Sequence, residues 1–131
     1  MNLERITIIH MEPPHTTDVN VELQWLGAVL GLFNERDKDS SCFRIFISLV
    51  RAAHMQQVLS SDTIAFHCGL SRGTVVHHLR KLQDAGLVMG DKAGYRLVKK
   101  SMHDSIDQLE QNLHAMIKLM RAVAKNIDAK L

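Results

Sequence analysis

The sequence predicts a mainly α-helical chain with one small β-hairpin and a long C-terminal helix. Apolar residues recur at helical spacing in several segments, two short apolar runs flank the glycine-bearing turn GDKAG, and heptad spacing continues from Met102 towards the end. The 131 residues suffice for one domain with an appended element. We therefore divide the chain into an N-terminal arm and helix (1–39), a central domain (40–100) and a coiled-coil-like dimerisation helix (101–131).

Charge is distributed unevenly along the chain. Residues 1–40 hold three basic and seven acidic side chains, a net charge of −4, whereas residues 71–100 hold seven basic and two acidic side chains, a net charge of +5. Such an asymmetry indicates a polyanionic partner for the basic segment. The role of the acidic segment stays open.

Several classes of protein are not expected. Cys42 and Cys68 lack the spacing of paired metal ligands, so neither a disulfide framework nor a cysteine-rich zinc site is predicted. No apolar run approaches the roughly 18 residues that span a bilayer, and the first ten residues lack the layout of a signal peptide, so we expect a cytoplasmic protein without membrane contact. Because no catalytic motif is evident, we expect no enzyme activity and no cofactor, and no small-molecule effector is identifiable.

Two helices are predicted ahead of the central motif. The first covers 21–34 after an Asp18 cap, with one side formed by Val21, Trp25, Ala28, Val29 and Leu32. The second covers 40–54, and its helically spaced apolar residues are Phe43, Phe46, Ile47 and Val50. A charged loop, 35–40, joins them, and ITIIH (6–10) is a short strand or arm that could pair with its copy in a second chain.

The next segment carries the signals of two short helices followed by a hairpin. The helices cover 62–68 and 71–85, and each has a serine cap before it and a glycine stop after it: Ser60 and Gly69 for the first, Ser71 and Gly86 for the second. The second helix buries a narrow stripe of Val75, Leu79 and Leu82. Two helices joined by a tight glycine turn predict a helix-turn-helix, and the strands after them predict a wing over 89–96.

The motif S-x-x-T-V-x-H-H-L-x-x-L-x-x-A-G-L-V, residues 71–88, together with the glycine-tipped hairpin, resembles the winged helix-turn-helix of ArsR-like bacterial and archaeal regulators. The resemblance covers about residues 42–100. PadR-like and MarR-like proteins share much of the same motif. This resemblance implies a dimeric transcription factor that binds operator DNA.

The polar face of the 71–85 helix has the side chains that a major-groove reader uses. Arginine bonds bidentately to guanine, threonine and valine methyls contact thymine methyls, and a glycine near the helix start lets the backbone approach phosphate. His77 projects outward, whereas His78 lies towards the buried side. Basic side chains in the wing can contact the phosphates of the DNA backbone or enter the minor groove. The predicted DNA-binding residues are Ser71, Arg72, Gly73, Thr74, Val76, His77, Arg80, Lys81, Lys92 and Arg96.

A simpler interpretation exists for these charges. Basic side chains on a polar helix face are, taken alone, more often solvated than functional, and Arg72 could serve either the helix start or a base contact. The helix-turn-helix spacing upstream and the wing downstream favour the DNA-binding interpretation.

The C-terminal helix carries an unbroken apolar seam with alternating spacings of three and four. Its predicted dimerisation residues are Ile106, Leu109, Leu113, Met116, Met120, Val123 and Ile127. Such a seam either packs on the body of the same chain or pairs with a partner, and its length and regularity favour pairing in a homodimer.

A metal site is not predicted. Some zinc sensors of the resembling family use histidines placed like His103 and His114, with a second ligand flanking each one, but here those flanking places hold Ser101 and Ile117. The thiolate sensors carry paired cysteines that this chain lacks. Solvated histidines are therefore the default.

The sequence thus predicts a homodimeric, sequence-specific regulator of transcription that binds double-stranded DNA. The 71–85 helix would enter the major groove and the 89–96 wing would contact the backbone or the minor groove. One alternative is a winged-helix scaffold for protein contacts in a transcription or RNA-processing assembly. A weaker alternative is a zinc-responsive repressor.

Overall fold

The computed structural model describes residues 5–33 and 40–131 of the chain. Within them, five helices and one hairpin follow one another as predicted, which confirms a mainly helical fold with a winged helix-turn-helix. The elements are α1 (Val19–Val29), α2 (Ser41–His54), α3 (Ser61–Cys68), α4 (Arg72–Asp84), β1 (Val88–Asp91), β2 (Gly94–Leu97) and α5 (Met102–Lys130). Residues 34–39, which include most of the predicted 35–40 loop, and the first four residues lie outside the described part.

One core joins α2 to the other elements. The α2 residues Ile45, Phe46 and Leu49 are fully buried. They share a hydrophobic cluster with residues of the helix-turn-helix, the hairpin and α5, among them Ile64, Val75, Leu79, Leu82, Leu97 and Leu109. The predicted stripe on α4 is therefore the face that fixes this helix to the body, and its opposite face is left to solvent.

The first helix differs from its prediction in extent and in face. It begins at Val19 with Asp18 as the N-cap, but it ends at Val29 rather than at 34. Gly31 takes a left-handed φ of 68°, and the ring of Phe33 folds back over Gly27. Of the predicted side, Val21 is 41% exposed, Trp25, Ala28 and Val29 are half-buried, and Leu32 is buried. The other residues buried on or just after the helix are Leu23, Gly27 and Leu30, which the prediction did not include.

Both helices of the helix-turn-helix begin with the same cap. The Ser60 hydroxyl accepts the backbone N–H of Thr63 at 3.0 Å, and the Ser71 hydroxyl accepts that of Thr74 at 3.2 Å. Each serine hydroxyl also donates to the threonine hydroxyl at 2.9 Å. Gly69 (φ 63°) ends α3 in the left-handed conformation as predicted. These local bonds set the angle at which α4 leaves the turn.

The hairpin forms the predicted wing. Strands β1 and β2 pair antiparallel, with Val88 opposite Leu97 and Asp91 opposite Gly94. The other edge of β2 is held by Leu59, which exchanges backbone hydrogen bonds with Tyr95 at 3.0 and 2.7 Å. Gly94 is required there, because a Cβ would lie 2.6 Å from the carbonyl oxygen of Leu59. The start of β2 is thereby fixed to the residue just before the cap of α3.

The N-terminal arm packs on its own chain. The N–H of Arg5 donates to the carbonyl of Asp84, the last residue of α4, and the N–H of Ile9 donates to that of Val29, the last residue of α1. Carbonyls in the last turn of a helix have no partner inside the helix, so the arm satisfies one at each of two helix ends. Ile6 packs against the core.

No helix in the described ranges is long and apolar enough to cross a membrane.

Candidate nucleic-acid interface

The face of α4 opposite the buried stripe is open to solvent. His77 and Arg80 are exposed, Val76 and Lys81 are half-buried, and His78 is half-buried on the inner side as predicted. The imidazole rings of His77 and His78 lie 5.4 Å apart, edge to face. The predicted groove-reading side chains therefore share one accessible surface.

At the start of α4 the hydroxyls are occupied and the arginine is accessible. Ser71 and Thr74 bond to each other in the cap. Arg72 approaches Asp62 of α3 at 3.8 Å, but about three quarters of each side chain is exposed. An exposed ion pair of this length is weak, so the guanidinium of Arg72 is free to exchange Asp62 for another anion. A Cβ on Gly73 would contact nothing within 4 Å, which leaves the backbone of this turn uncovered.

The far half of the α4 face meets the N-terminal arm. His77, Arg80, Lys81 and Asp84 line a pocket of about 400 Å³, and Arg5 and Thr7 line its other side. Arg5 was not among the predicted DNA-binding residues. It is a single cation in a segment that resembles a strand, and no signal in the sequence places it beside α4.

The two predicted wing residues lie in different surroundings. Lys92 is exposed in the turn between β1 and β2. Arg96 lines a second basic pocket of about 400 Å³, together with Lys99 and Lys100 after the wing and Gln57 before α3. Both lysines belong to the basic segment 71–100, but they are not among the predicted DNA-binding residues. The structure thus brings Arg96 together with them and not with the cations of α4.

The comparison with protein families bears on this arrangement. Residues 55–89 match the model described as bacterial regulatory protein, arsR family, a segment that runs from the end of α2 into β1. This segment matches the ArsR family model, and the fold around it is a winged helix-turn-helix. The match supports a DNA-binding regulator of transcription. The comparisons with curated proteins and with solved structures found no match.

The seam of α5 divides into two parts. Leu109 is buried in the chain's own core and Ile106 packs against it. Leu113 is half-buried, and the last four seam residues, Met116, Met120, Val123 and Ile127, are each more than half exposed. The exposed part of the seam begins at Met116. The dimerisation role of the seven residues stays a prediction.

The α5 histidines lie in separate surroundings. His103 is close to two carboxylates, with its Nδ1 3.6 Å from Asp104 and 3.5 Å from Asp107, and all three side chains are exposed. His114 instead lines an apolar groove beside α1. Ser101 caps α5 by accepting the N–H of Asp104 at 3.0 Å. Exposed acidic groups of this kind are common without an ion, so we assign no metal here.

Proposed function

We propose that this ArsR-like regulator is a homodimer that binds double-stranded DNA sequence-specifically, with α4 in the major groove and the wing on the backbone or the minor groove. The observation that carries the proposal is the exposed face of α4, where Arg80 and Lys81 form no ion pair within the described residues. Accessible cations without a carboxylate partner leave this face positive, and beside a helix-turn-helix and a wing such a face favours binding of a polyanion.

Selectivity on this surface would come from the α4 side chains. Arg72 and Arg80 can each bond bidentately to guanine, and the methyl groups of Thr74 and Val76 can contact thymine. The cap fixes Thr74, because its hydroxyl and its backbone N–H both bond to Ser71. Lys81, Lys92 and the basic residues after the wing would supply affinity through phosphates.

Dimerisation is supported by apolar surface that one chain leaves uncovered. The exposed seam residues of α5 continue into a groove of about 580 Å³ between α1, α5 and the arm, lined by apolar side chains that include Trp25, Leu26, Val29, Leu113 and Ile117. A second copy of α5 would cover both. Two copies would then present their α4 helices to half-sites about one helical turn, roughly 34 Å, apart.

The experiment that tests this function is selection of fragments of the source genome by the purified full-length protein at two salt concentrations, followed by sequencing. We expect enrichment of a short inverted repeat, with binding that weakens steeply as salt rises. Weak binding spread evenly over all fragments would contradict sequence-specific regulation.

Gly73 offers a variant that separates stability from DNA binding. We expect Gly73→Ala to stabilise the fold by up to about 0.5 kcal/mol, because alanine is the better helix former and the added methyl meets nothing in the protein. If the backbone of this turn approaches DNA, the same methyl weakens operator binding by about tenfold. Urea unfolding and fluorescence anisotropy measure the two effects, and unchanged operator affinity would show that the turn stays away from DNA.

A protein-docking scaffold is the second candidate, and one feature favours it. Phe66 on α3 is 85% exposed, and the centroid of its ring lies 5.9 Å from that of His67. Exposed aromatic residues are frequent anchors of protein interfaces. In the selection experiment a scaffold would enrich no repeat, and Phe66→Ala would release its partner.

A further inference from the structure

The position of the N-terminal arm beside α4 is fixed by its backbone. The N–H of Arg5 bonds to the carbonyl of Asp84 at 2.7 Å, and the N–H of Ile9 bonds to that of Val29 at 2.8 Å. Ile6, between these two bonds, packs against the core. The arm is thus held at both ends by the C-terminal ends of α4 and α1.

Successive side chains of the arm point in different directions, as they do in an extended chain. Ile6 faces the core, Ile8 reaches the apolar groove beside α5, and Arg5 and Thr7 line the pocket on α4. Thr7 lies so close to Gly31 that a Cβ there would be 3.1 Å from the Cβ of Thr7. This close approach, together with the bond to Asp84, places Arg5 on the same side of the molecule as Arg80.

The charge of this pocket is unbalanced. Arg5, Arg80 and Lys81 line it with a single carboxylate, Asp84, which gives a formal net charge of +2 with His77 neutral. Within the described ranges none of the three cations forms an ion pair. Like charges gathered around one pocket repel each other and favour the binding of an anion from outside.

We propose that Arg5 forms, with Lys81, a subsite for a phosphate of the DNA backbone beside Arg80, whose guanidinium is left to contact a base. The inference rests on the proposed function, and it extends the DNA-binding surface from α4 and the wing to the N-terminal arm. The subsite borders the C-terminal end of α4, where Arg5 bonds to Asp84, whereas in helix-turn-helix complexes the N-terminal part of this helix enters the groove first. A cation beside the far half of the helix therefore faces the sugar–phosphate strand that borders the groove, and a guanidinium suits a phosphate because it can bond bidentately.

The test measures how DNA affinity depends on salt. Full-length wild-type protein, Arg5→Gln, Arg5→Lys and Arg51→Gln are titrated by fluorescence anisotropy onto a random-sequence duplex and onto the duplex enriched in the selection, across a salt series. Arg51 is the matched control, since it is exposed on α2 and does not line this pocket. The Arg5 variants keep the backbone N–H that anchors the arm, and matching thermal unfolding curves verify the fold.

Loss of one phosphate contact lowers the slope of log affinity against log salt by about 0.9. We expect this decrease for Arg5→Gln on both duplexes, with the wild-type slope kept by Arg5→Lys and by Arg51→Gln. A wild-type slope for Arg5→Gln would overturn the subsite while leaving the proposed function intact. An Arg5→Gln effect confined to the enriched duplex would overturn it in favour of a base contact, and failure of the wild-type protein to bind any duplex would overturn both proposals.

Discussion

If the protein is the proposed homodimer, replacing Met116 and Val123 by glutamate is expected to convert it to a monomer and to weaken operator binding by about 100-fold or more. The two residues lie one heptad apart on the seam of α5 and are 54% and 57% exposed in the single chain, so the substitution leaves the monomer fold unchanged. In the dimer it would place four carboxylates in a seam from which water is excluded, and unpaired buried charges are strongly unfavourable. A monomer contacts one half-site and loses the gain of about 10²–10⁴ in affinity that linked binding provides.

The matched control is Ala115→Glu with Ala122→Glu. These alanines precede the two seam residues by one position each, so the control adds the same charges at the same spacing away from the seam. Sedimentation should give twice the chain mass of 14.8 kDa for the wild type and the control, and the chain mass for the seam variant. Equal dimerisation of seam variant and control would show that α5 is not the dimer contact.

The helix-turn-helix could be predicted from sequence because its signals are local. Each of its helices has a serine cap, a threonine three residues later and a glycine after its end, and these features interact with residues within one turn. The stripe of α4 was predicted for the same reason, since a 3.6-residue period defines which side is buried.

The first helix could not be predicted as well, because its end depends on a distant packing partner. Apolar residues continue through Phe33, so the periodicity gives no stop at Val29. The chain turns at Gly31 because this allows Phe33 to pack over Gly27 and to contact Phe43 and Phe46 of α2, with ring centroids 5.7 and 6.4 Å away. Tertiary contacts of this kind override a local pattern.

The candidate DNA-binding surface also combines residues that local sequence signals predict with one that only the fold places there. The α4 residues were assigned from the helix period, but Arg5 lies about 80 positions away in sequence from Asp84, to which its backbone bonds. Only the fold brings this arm beside α4. Likewise, the heptad pattern of α5 is uniform, and only the packing of Leu109 into the core shows where the helix leaves the body of its own chain.

The second large effect is expected from Arg72→Ala combined with Arg80→Ala. The two guanidiniums lie on one exposed side of α4, and each bidentate contact to a base is worth about 1–3 kcal/mol. Their combined loss should reduce affinity for the enriched repeat by at least about 30-fold. Binding to random sequence should fall much less, so the ratio of specific to non-specific affinity should collapse. Stability should change little, because the Arg72–Asp62 pair is exposed.

Arg51→Ala combined with Arg121→Ala removes the same charge from exposed positions on α2 and α5 and serves as the control. Anisotropy titrations on the enriched and random duplexes measure the ratio for both double variants. If both keep the wild-type ratio, α4 is not the reading helix, even where the protein still binds DNA. If the α4 variant loses its specificity but still dimerises, recognition and assembly are separate properties. Such a result is expected if α4 contacts the bases and the exposed seam of α5 forms the dimer contact.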